Sequence, residues 1–204
     1  MPEYTYLLVD SDVNGVAGRR LLAVVCGLSS DSVRTIVKTH RTELRRAFPG
    51  LLAGLEPLVA VVDMEHDAAC APAVMREWCG GHSPGARRCV RFAERAIEAW
   101  VIADAPGLGD FLGVSGAKIL RTWRQYRSPD EIDFPKDYLV RRIAPLASRG
   151  ELRLGMVPSQ GARVGRAYSI LLRRFLSEFW DPNRAAPHSP SLERAISCLR
   201  ARFA

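Results

Sequence analysis

The sequence predicts an α/β fold: a mainly parallel four-stranded sheet flanked by helices, followed by a helical C-terminal extension. Two observations support this fold class. Over residues 1–105, short runs rich in β-branched residues alternate with segments of helical periodicity. From 106 to 204 the apolar spacing is helical only. We therefore predict a core of residues 1–105 and a helical extension of residues 106–204, packed together as one compact unit.

The predicted elements of the core are separated by short polar loops. The run at 58–62 is almost continuously β-branched, which is typical of a parallel strand buried on both faces. The predicted strands are 4–9, 33–39, 58–62 and 89–93, and the predicted helices are 16–28, 42–55 (broken at Pro49-Gly50), 68–79 and 96–103.

The composition is that of a packed globular protein, with 48% hydrophobic and 25% charged residues in a chain of 204. No apolar run approaches the roughly 18 residues that span a bilayer. The N-terminus lacks the basic start and apolar stretch of a secretory signal. We therefore expect a cytoplasmic protein.

The five cysteines form no CxxC pair, which predicts reduced thiols rather than a disulfide framework. Four residues, His66, Cys70, Cys79 and His82, have roughly zinc-like spacings. Two interpretations stay open at this point. Either the four residues bind structural zinc, or the cysteines pack within a helix and the histidines lie at its ends.

The formal net charge is +7, and nearly all of the basic residues are arginine. Arginine pairs on one face would bind phosphates. We predict that Arg19, Arg20, Arg87 and Arg88 contact a nucleic-acid backbone. The alternative is that these arginines are solvated surface charges.

Acidic residues follow two predicted strands, at the point where each strand ends. Asp10 follows the first strand, and Asp63, Glu65 and Asp67 follow the third. In parallel sheets the ligand site lies at the carboxyl ends of the strands, so these side chains are expected to meet. Mg²⁺ and Mn²⁺ prefer oxygen ligands. The sequence therefore predicts a site for one of these cations.

Strand-end acids also cap helices, which is the alternative explanation for the same residues. Asp10 or Asp12 would cap the helix at 16–28, and Asp67 the helix at 68–79. Capping needs only one acid per helix, whereas each strand end carries at least two. We therefore favour metal binding over capping.

A metal-dependent phosphodiesterase, acting as a nuclease, is the function that these acids favour. Asp63 and Glu65 would hold the metal, and Asp10 would ligate it or act as a general base. A small metal-dependent phosphotransferase or nucleotide hydrolase is a third, weaker hypothesis. A pocket too small for a duplex would favour it.

The order of strands, helices and acids resembles the Toprim domain of topoisomerases, primases and OLD-type nucleases. Toprim domains place a Glu after the first strand and an Asp-x-Asp after the third. Asp10 stands where that Glu would be, and Asp63 and Glu65 stand at the Asp-x-Asp. Both substitutions keep a carboxylate but move it by one methylene group.

Further motifs resemble those of a bacterial Toprim-like family of unknown function. That resemblance implies a partner ATPase of the SMC-like or OLD-like type and a role in phage defence. Glu98 belongs to these motifs and is a further candidate to ligate the metal or to support its ligands. The motifs are Arg91-Phe92-Ala93, Ile97-Glu98-Ala99-Trp100, Ala103-Asp104, Phe134-Pro135-Lys136, Gly165-x-x-Tyr168, Trp180-Asp181-Pro182 and Ser189-Pro190-Ser191-Leu192.

The substitutions at Asp10 and Glu65 also motivate an alternative: a degenerate, non-catalytic Toprim subunit that senses or regulates its ATPase partner. The chain lacks a GxxxxGK[ST] loop of its own. Both hypotheses therefore place ATP hydrolysis on another protein. A homo-oligomer is compatible with either hypothesis.

Overall fold

The computed structural model describes residues 4–64, 71–80, 85 and 87–203. Four parallel strands form one sheet in the order β2-β1-β3-β4. This confirms the predicted α/β class with a parallel four-stranded sheet, and it is consistent with a Toprim-like fold. The strands are β1 (Thr5–Val9), β2 (Val33–Val37), β3 (Leu58–Asp63) and β4 (Arg88–Ala93).

Helices cover both faces of the sheet and form the C-terminal half of the chain. Within the described ranges, no helix is both long enough and apolar enough to cross a membrane. The helices are α1 (Asp12–Cys26), α2 (Arg41–Gly54), α3 (Ala71–Trp78), α4 (Ile97–Ala103), α5 (Ala105–Leu112), α6 (Gly116–Trp123), α7 (Pro135–Tyr138), α8 (Gly150–Met156), α9 (Tyr168–Glu178), α10 (Pro182–Ala185) and α11 (Pro190–Phe203).

Alternating strand residues supply two apolar cores, one on each face of the sheet. Leu8 and Val62 face α2 and α3 on one side. Leu7 and Val61 face the other side, where they share one cluster with α1 and the helices of the C-terminal half. The helical extension therefore packs directly on the sheet.

Helix α1 begins at Asp12, four residues before the predicted start. The Ser11 hydroxyl accepts a hydrogen bond from the Asn14 backbone N–H at 3.1 Å, so Ser11 is the N-cap. The alternative explanation, in which Asp10 or Asp12 caps this helix, is therefore wrong. The Asp10 carboxylate is turned toward β3 instead.

Helix α2 continues through Pro49, so the predicted break at Pro49-Gly50 is also wrong. Leu44, Phe48 and Leu52 lie one turn apart and are buried against the sheet. Burial of this apolar stripe stabilises the helix by more than the hydrogen bond that proline removes.

Cys89 of β4 and Cys198 of α11 form a disulfide, with their Cα atoms 6.1 Å apart. The expectation of reduced thiols is therefore wrong for this pair, which lies 109 residues apart in the chain. Cys26 and Cys79 are free thiols, and Cys79 is buried. The other three residues of the zinc hypothesis, His66, Cys70 and His82, lie outside the described residues.

Several motif residues have structural roles. The Trp100 indole donates to the Ser191 hydroxyl at 2.7 Å, and the Trp180 indole donates to the Trp100 carbonyl at 3.3 Å. The Ser189 hydroxyl accepts from the Leu192 backbone N–H at 3.3 Å, at the start of α11. These buried hydrogen bonds hold α4 against the C-terminal helices.

Candidate functional site

Asp10 and Asp63 meet at the carboxyl edge of the sheet, because β1 and β3 are neighbouring parallel strands. The side-chain amide of Asn14 bridges them. Its nitrogen donates to Asp10 Oδ1 at 2.6 Å and to Asp63 Oδ1 at 3.0 Å. The Asp63 backbone N–H donates to Asp10 Oδ2 at 2.9 Å. Asn14 is fully buried in the first turn of α1, which fixes this bridge.

The Asp63 carboxylate also contacts the start of α4. Its Oδ1 atom accepts the Ile97 backbone N–H at 2.9 Å. The N-cap residue of α4 is Ala96, which has no side chain that can accept a hydrogen bond. Asp63 therefore satisfies one of the N–H groups that a helix start leaves without an intrahelical partner.

Glu98 is a third carboxylate at this edge, and its side chain is only 2% exposed. The Tyr168 hydroxyl donates to Glu98 Oε1 at 2.6 Å, and Lys136 Nζ lies 3.5 Å from the same oxygen. The other oxygen, Oε2, is buried and has no hydrogen-bond partner in the described structure. The same holds for the side-chain oxygen of Asn14.

The crowding of acids raises the pKa of Asp63. Burial raises the pKa of Asp63 well above its usual value, and the charges of Asp10 and Glu98 raise it further. The hydrogen bonds from Asn14 and Ile97 act in the opposite direction but are weaker. Burial, and next the neighbouring Glu98, raises the pKa of Tyr168, so its hydroxyl stays a donor.

Two adjoining cavities open onto Asp63. The inner one, of about 360 Å³, is lined by Asn14, Asp63, Glu98 and Tyr168 among others. The outer one measures about 580 Å³. Both have Asp63, Lys136 and Arg163 in their walls.

The wall of the outer cavity is of mixed charge. Its basic residues are Arg95, Lys136, Arg141 and Arg163, and its acids are Asp63, Asp133 and Asp137. Arg95 has a φ of 65°, in the left-handed region that a non-glycine residue rarely adopts. Such strain is concentrated at functional sites, where surrounding structure holds the residue in place. Arg95 forms an ion pair with Asp133 at 3.2 Å, which anchors it at the rim.

The carboxylates of Asp10, Asp63 and Glu98 offer oxygen atoms as metal ligands, and oxygen is the ligand that a hard cation prefers. Two buried oxygens, on Asn14 and Glu98, need a partner that the described structure does not give them. Among residues 4–64, 71–80, 85 and 87–203, no three His, Cys, Asp or Glu side chains form a ready-made metal cluster. Mg²⁺ commonly needs only one or two carboxylates, with water and substrate phosphate completing its shell.

The predicted site residues are only partly brought together. Asp10, Asp63 and Glu98 converge, whereas Glu65 and Asp67 lie outside the described residues. The sequence reasoning missed Asn14 as a bridge and Arg95, Arg141 and Arg163 as cavity residues. Asn14 lies in the first turn of the helix that follows β1, at the same edge of the sheet as Asp10, and this position is the signal that would have found it.

The four predicted phosphate-binding arginines lie away from these carboxylates. Arg87 and Arg88 are at the start of β4, whereas Asp63 lies beside Ala93 at the end of that strand. Arg88 contacts the Leu55 carbonyl and Glu56. Arg19 and Arg20 project from the middle of α1 to the carbonyls of Ser30 and Trp180. None of the four lines either cavity at Asp63.

The fold and the site geometry define an α/β protein with converging acids at the carboxyl edge of its sheet, beside a cleft whose wall includes three arginines. Comparison with protein-family models, with curated proteins and with solved structures found no match to this chain. The functional assignment therefore depends on the residues themselves.

Proposed function

We propose that this chain is a Mg²⁺- or Mn²⁺-dependent phosphodiesterase that cleaves nucleic acid. The observation that supports it best is the convergence of Asp10, Asp63 and Glu98 beside a cleft lined by arginines. A bound cation would neutralise acids that otherwise repel one another. Arginines in the wall of the cleft would bind an anionic substrate.

Each group has a distinct task in this proposal. Asp63 and Glu98 would bind the cation with Glu65, and Asp10 would ligate it or accept a proton from the attacking water. A bound cation supplies charge neutralisation and a nucleophilic water. Arg163 and Arg141 would hold the phosphates on either side of the scissile bond. Tyr168 and Lys136 orient Glu98 through its Oε1 atom.

The size of the cleft favours a single strand, a strand end or a free nucleotide over a duplex as the substrate. Cavities of about 360 and 580 Å³ have the size of pockets that enclose a nucleotide-sized group. Phe134, with 59% of its surface exposed, lies in the wall of the outer cavity, where a base would stack on its ring. The proposed physiological setting, which follows from the family resemblance, is phage defence beside an SMC-like or OLD-like ATPase.

A cleavage assay tests this function. The purified chain is incubated with labelled single-stranded and duplex DNA and RNA, and with free nucleotides, in Mn²⁺ or in EDTA. We expect Mn²⁺-dependent cleavage of single strands, reduced about a thousandfold or more in Asp63→Asn because a shared cation ligand is lost. Cleavage that persists in Asp63→Asn would exclude this site. Turnover of free nucleotides alone would favour the small nucleotide hydrolase.

The alternative is a non-catalytic subunit that regulates the ATPase. The hydrogen bonds around Asp10 and Asp63 favour it, because these carboxylates already hold α1, β3 and α4 together. This alternative predicts no turnover with any metal and co-purification with the ATPase. An Asp10→Ala/Asp63→Ala variant that folds and still protects cells against phage would support it over the enzyme.

A further inference from the structure

A third cavity shares part of its wall with the outer cavity but does not reach Asp63. Its volume is about 290 Å³, close to the lower end of the range of small-ligand pockets. We call it the aromatic cavity, because three of its wall residues carry aromatic rings. The residues that belong to both walls are Asp133, Phe134, Asp137 and Arg141. The remaining wall residues are Tyr126, Ile132, Tyr138 and Arg142.

Buried hydrogen bonds hold one part of this wall in place. The segment 126–133 contributes three wall residues, and Asp130 lies buried within it. The Asp130 carboxylate accepts the Ser189 hydroxyl and the Ser191 backbone N–H, both at 2.8 Å. The segment is therefore tied to the start of α11, so this part of the wall needs little ordering when a ligand binds.

A π-helical turn supplies the two arginines of the wall. It spans Leu139–Ile143 and follows α7 directly. Such turns are rare, and they frequently lie at functional sites. Arg141 and Arg142 are exposed and line the cavity. The apolar side chains that anchor the turn are buried, namely Leu139, Val140 and Ile143.

The charged groups of this wall differ in whether they are paired. Asp133 forms an ion pair with Arg95 at 3.2 Å. Asp137, Arg141 and Arg142 form no ion pair or side-chain hydrogen bond with any residue that the structure describes. An anionic ligand that also carries hydrogen-bond donors of its own would satisfy all three groups.

Tyr126 supplies an aromatic ring on which a ligand can stack. It is half-buried, and its ring meets the ring of Tyr138 edge to face, with 6.2 Å between the centroids. The Tyr138 hydroxyl donates to the Thr122 carbonyl, which fixes that ring. Nucleobases stack on such rings with little regard to sequence.

We propose that the aromatic cavity is a second nucleotide subsite, which binds the nucleotide next to the one held beside Asp63. This inference rests on the proposed function, because it takes nucleic acid as the ligand of the cleft. It deepens that function by making the substrate a single strand rather than a free mononucleotide. Continuity with the outer cavity, through four shared wall residues, favours a nucleotide over a side chain of a partner protein.

Each group of the subsite has its own task. The base stacks on Tyr126, and Asp137 accepts a hydrogen bond from the base or from a sugar hydroxyl. Arg141 lies in both walls, so it binds the phosphate that joins the two nucleotides. Arg142 binds the next phosphate along the strand.

Fluorescence anisotropy with a labelled single-stranded oligonucleotide, in EDTA so that the strand stays intact, tests the subsite. We expect Tyr126→Ala to weaken binding about tenfold, because one stacked base loses its support. Tyr126→Phe keeps the ring and should bind within twofold of wild type. Arg142→Gln should also weaken binding about tenfold, and it should lower the slope of log affinity against log salt concentration by about 0.7.

Arg124→Gln is the matched control for charge, because Arg124 is exposed just after α6 and lines neither cavity. It should bind within twofold of wild type. Arg142→Gln keeps the test decisive if Tyr126→Ala fails to fold, since Arg142 is exposed.

Two results would overturn the subsite: wild type that binds no strand, or a folded Arg142→Gln that matches wild type in both affinity and salt slope. A pocket for a partner's side chain would give the second result. Failure of the proposed function is a different observation. Wild type would then bind the strand and lose affinity in both variants, yet cleave nothing in Mn²⁺, and the subsite would stand.

Discussion

Asp63→Asn is expected to make the protein more stable at neutral pH in EDTA, although it removes a proposed catalytic group. Asparagine keeps an oxygen that accepts the hydrogen bonds from Asn14 and Ile97. It removes a charge that burial and the neighbouring acids disfavour. We expect a gain of about 1 kcal/mol, which raises Tm by about 2 to 4 °C in a chain of this size.

The stability of the wild-type protein should also depend on pH, in a direction set by the raised pKa of Asp63. Because the pKa of Asp63 is raised on folding, the folded protein holds a proton that the unfolded chain releases above about pH 4. The stability of wild type therefore falls as pH rises from there through the raised pKa of the folded state. Asp63→Asn should lose this pH dependence.

Thermal unfolding in EDTA, from acid to neutral pH, measures both effects. Asp110→Asn, at an exposed position on α5, is the control and should show the pH profile of wild type. Lower stability of Asp63→Asn at neutral pH would show that the carboxylate is needed as an anion to hold the fold. In that case the negative charge of Asp63 would stabilise the fold.

Arg184→Ala is expected to destabilise the protein by about 3 kcal/mol, the largest structural effect of any single change considered. Arg184 Nη2 lies 2.8 Å from Asp104 Oδ2, and Asp104 has an exposed fraction of 0%. Removal of the arginine leaves a fully buried carboxylate without its counter-charge. The remaining N–H donors to Asp104, from Gly107 and Asp181, do not replace a full positive charge.

Arg174→Ala is the matched control, because its ion pair with Glu178 is exposed on α9. Such surface pairs contribute roughly 0 to 1 kcal/mol. Urea unfolding of both variants gives the comparison. A loss below about 1 kcal/mol in Arg184→Ala would mean that water reaches Asp104 in the folded variant and replaces the contacts of the arginine.

The sheet could be predicted from sequence because its pattern is local. Buried parallel strands appear as β-branched runs, and the run at 58–62 lies within β3. Helix boundaries that depend on side-chain contacts were harder to predict from the sequence. The start of α1 depends on which of Ser11, Asp10 and Asp12 turns back to cap it, and that choice is set by the neighbouring strand. The Cys89–Cys198 bond depends on how α11 packs on β4.

The carboxylate site was also predictable in part, because it depends on the order of the strands. Asp10 and Asp63 follow strands whose ends meet at one edge, so topology alone brings them together. The arginines of the cleft were not predictable, because they come from separate segments of the chain: Arg95 follows β4, whereas Arg141 and Arg163 belong to the C-terminal half. Paired arginines in sequence, such as Arg87 and Arg88, gave no information about distance from the acids.

Crystals soaked in Mn²⁺ and measured for anomalous scattering test most directly whether these acids share a cation. We expect a single strong peak in the inner cavity, about 2.0 to 2.4 Å from oxygens of Asp63 and Glu98 and close to Asp10. An inner cavity without a peak at millimolar Mn²⁺, with both carboxylates well ordered, would contradict a metal-dependent function for this edge of the sheet.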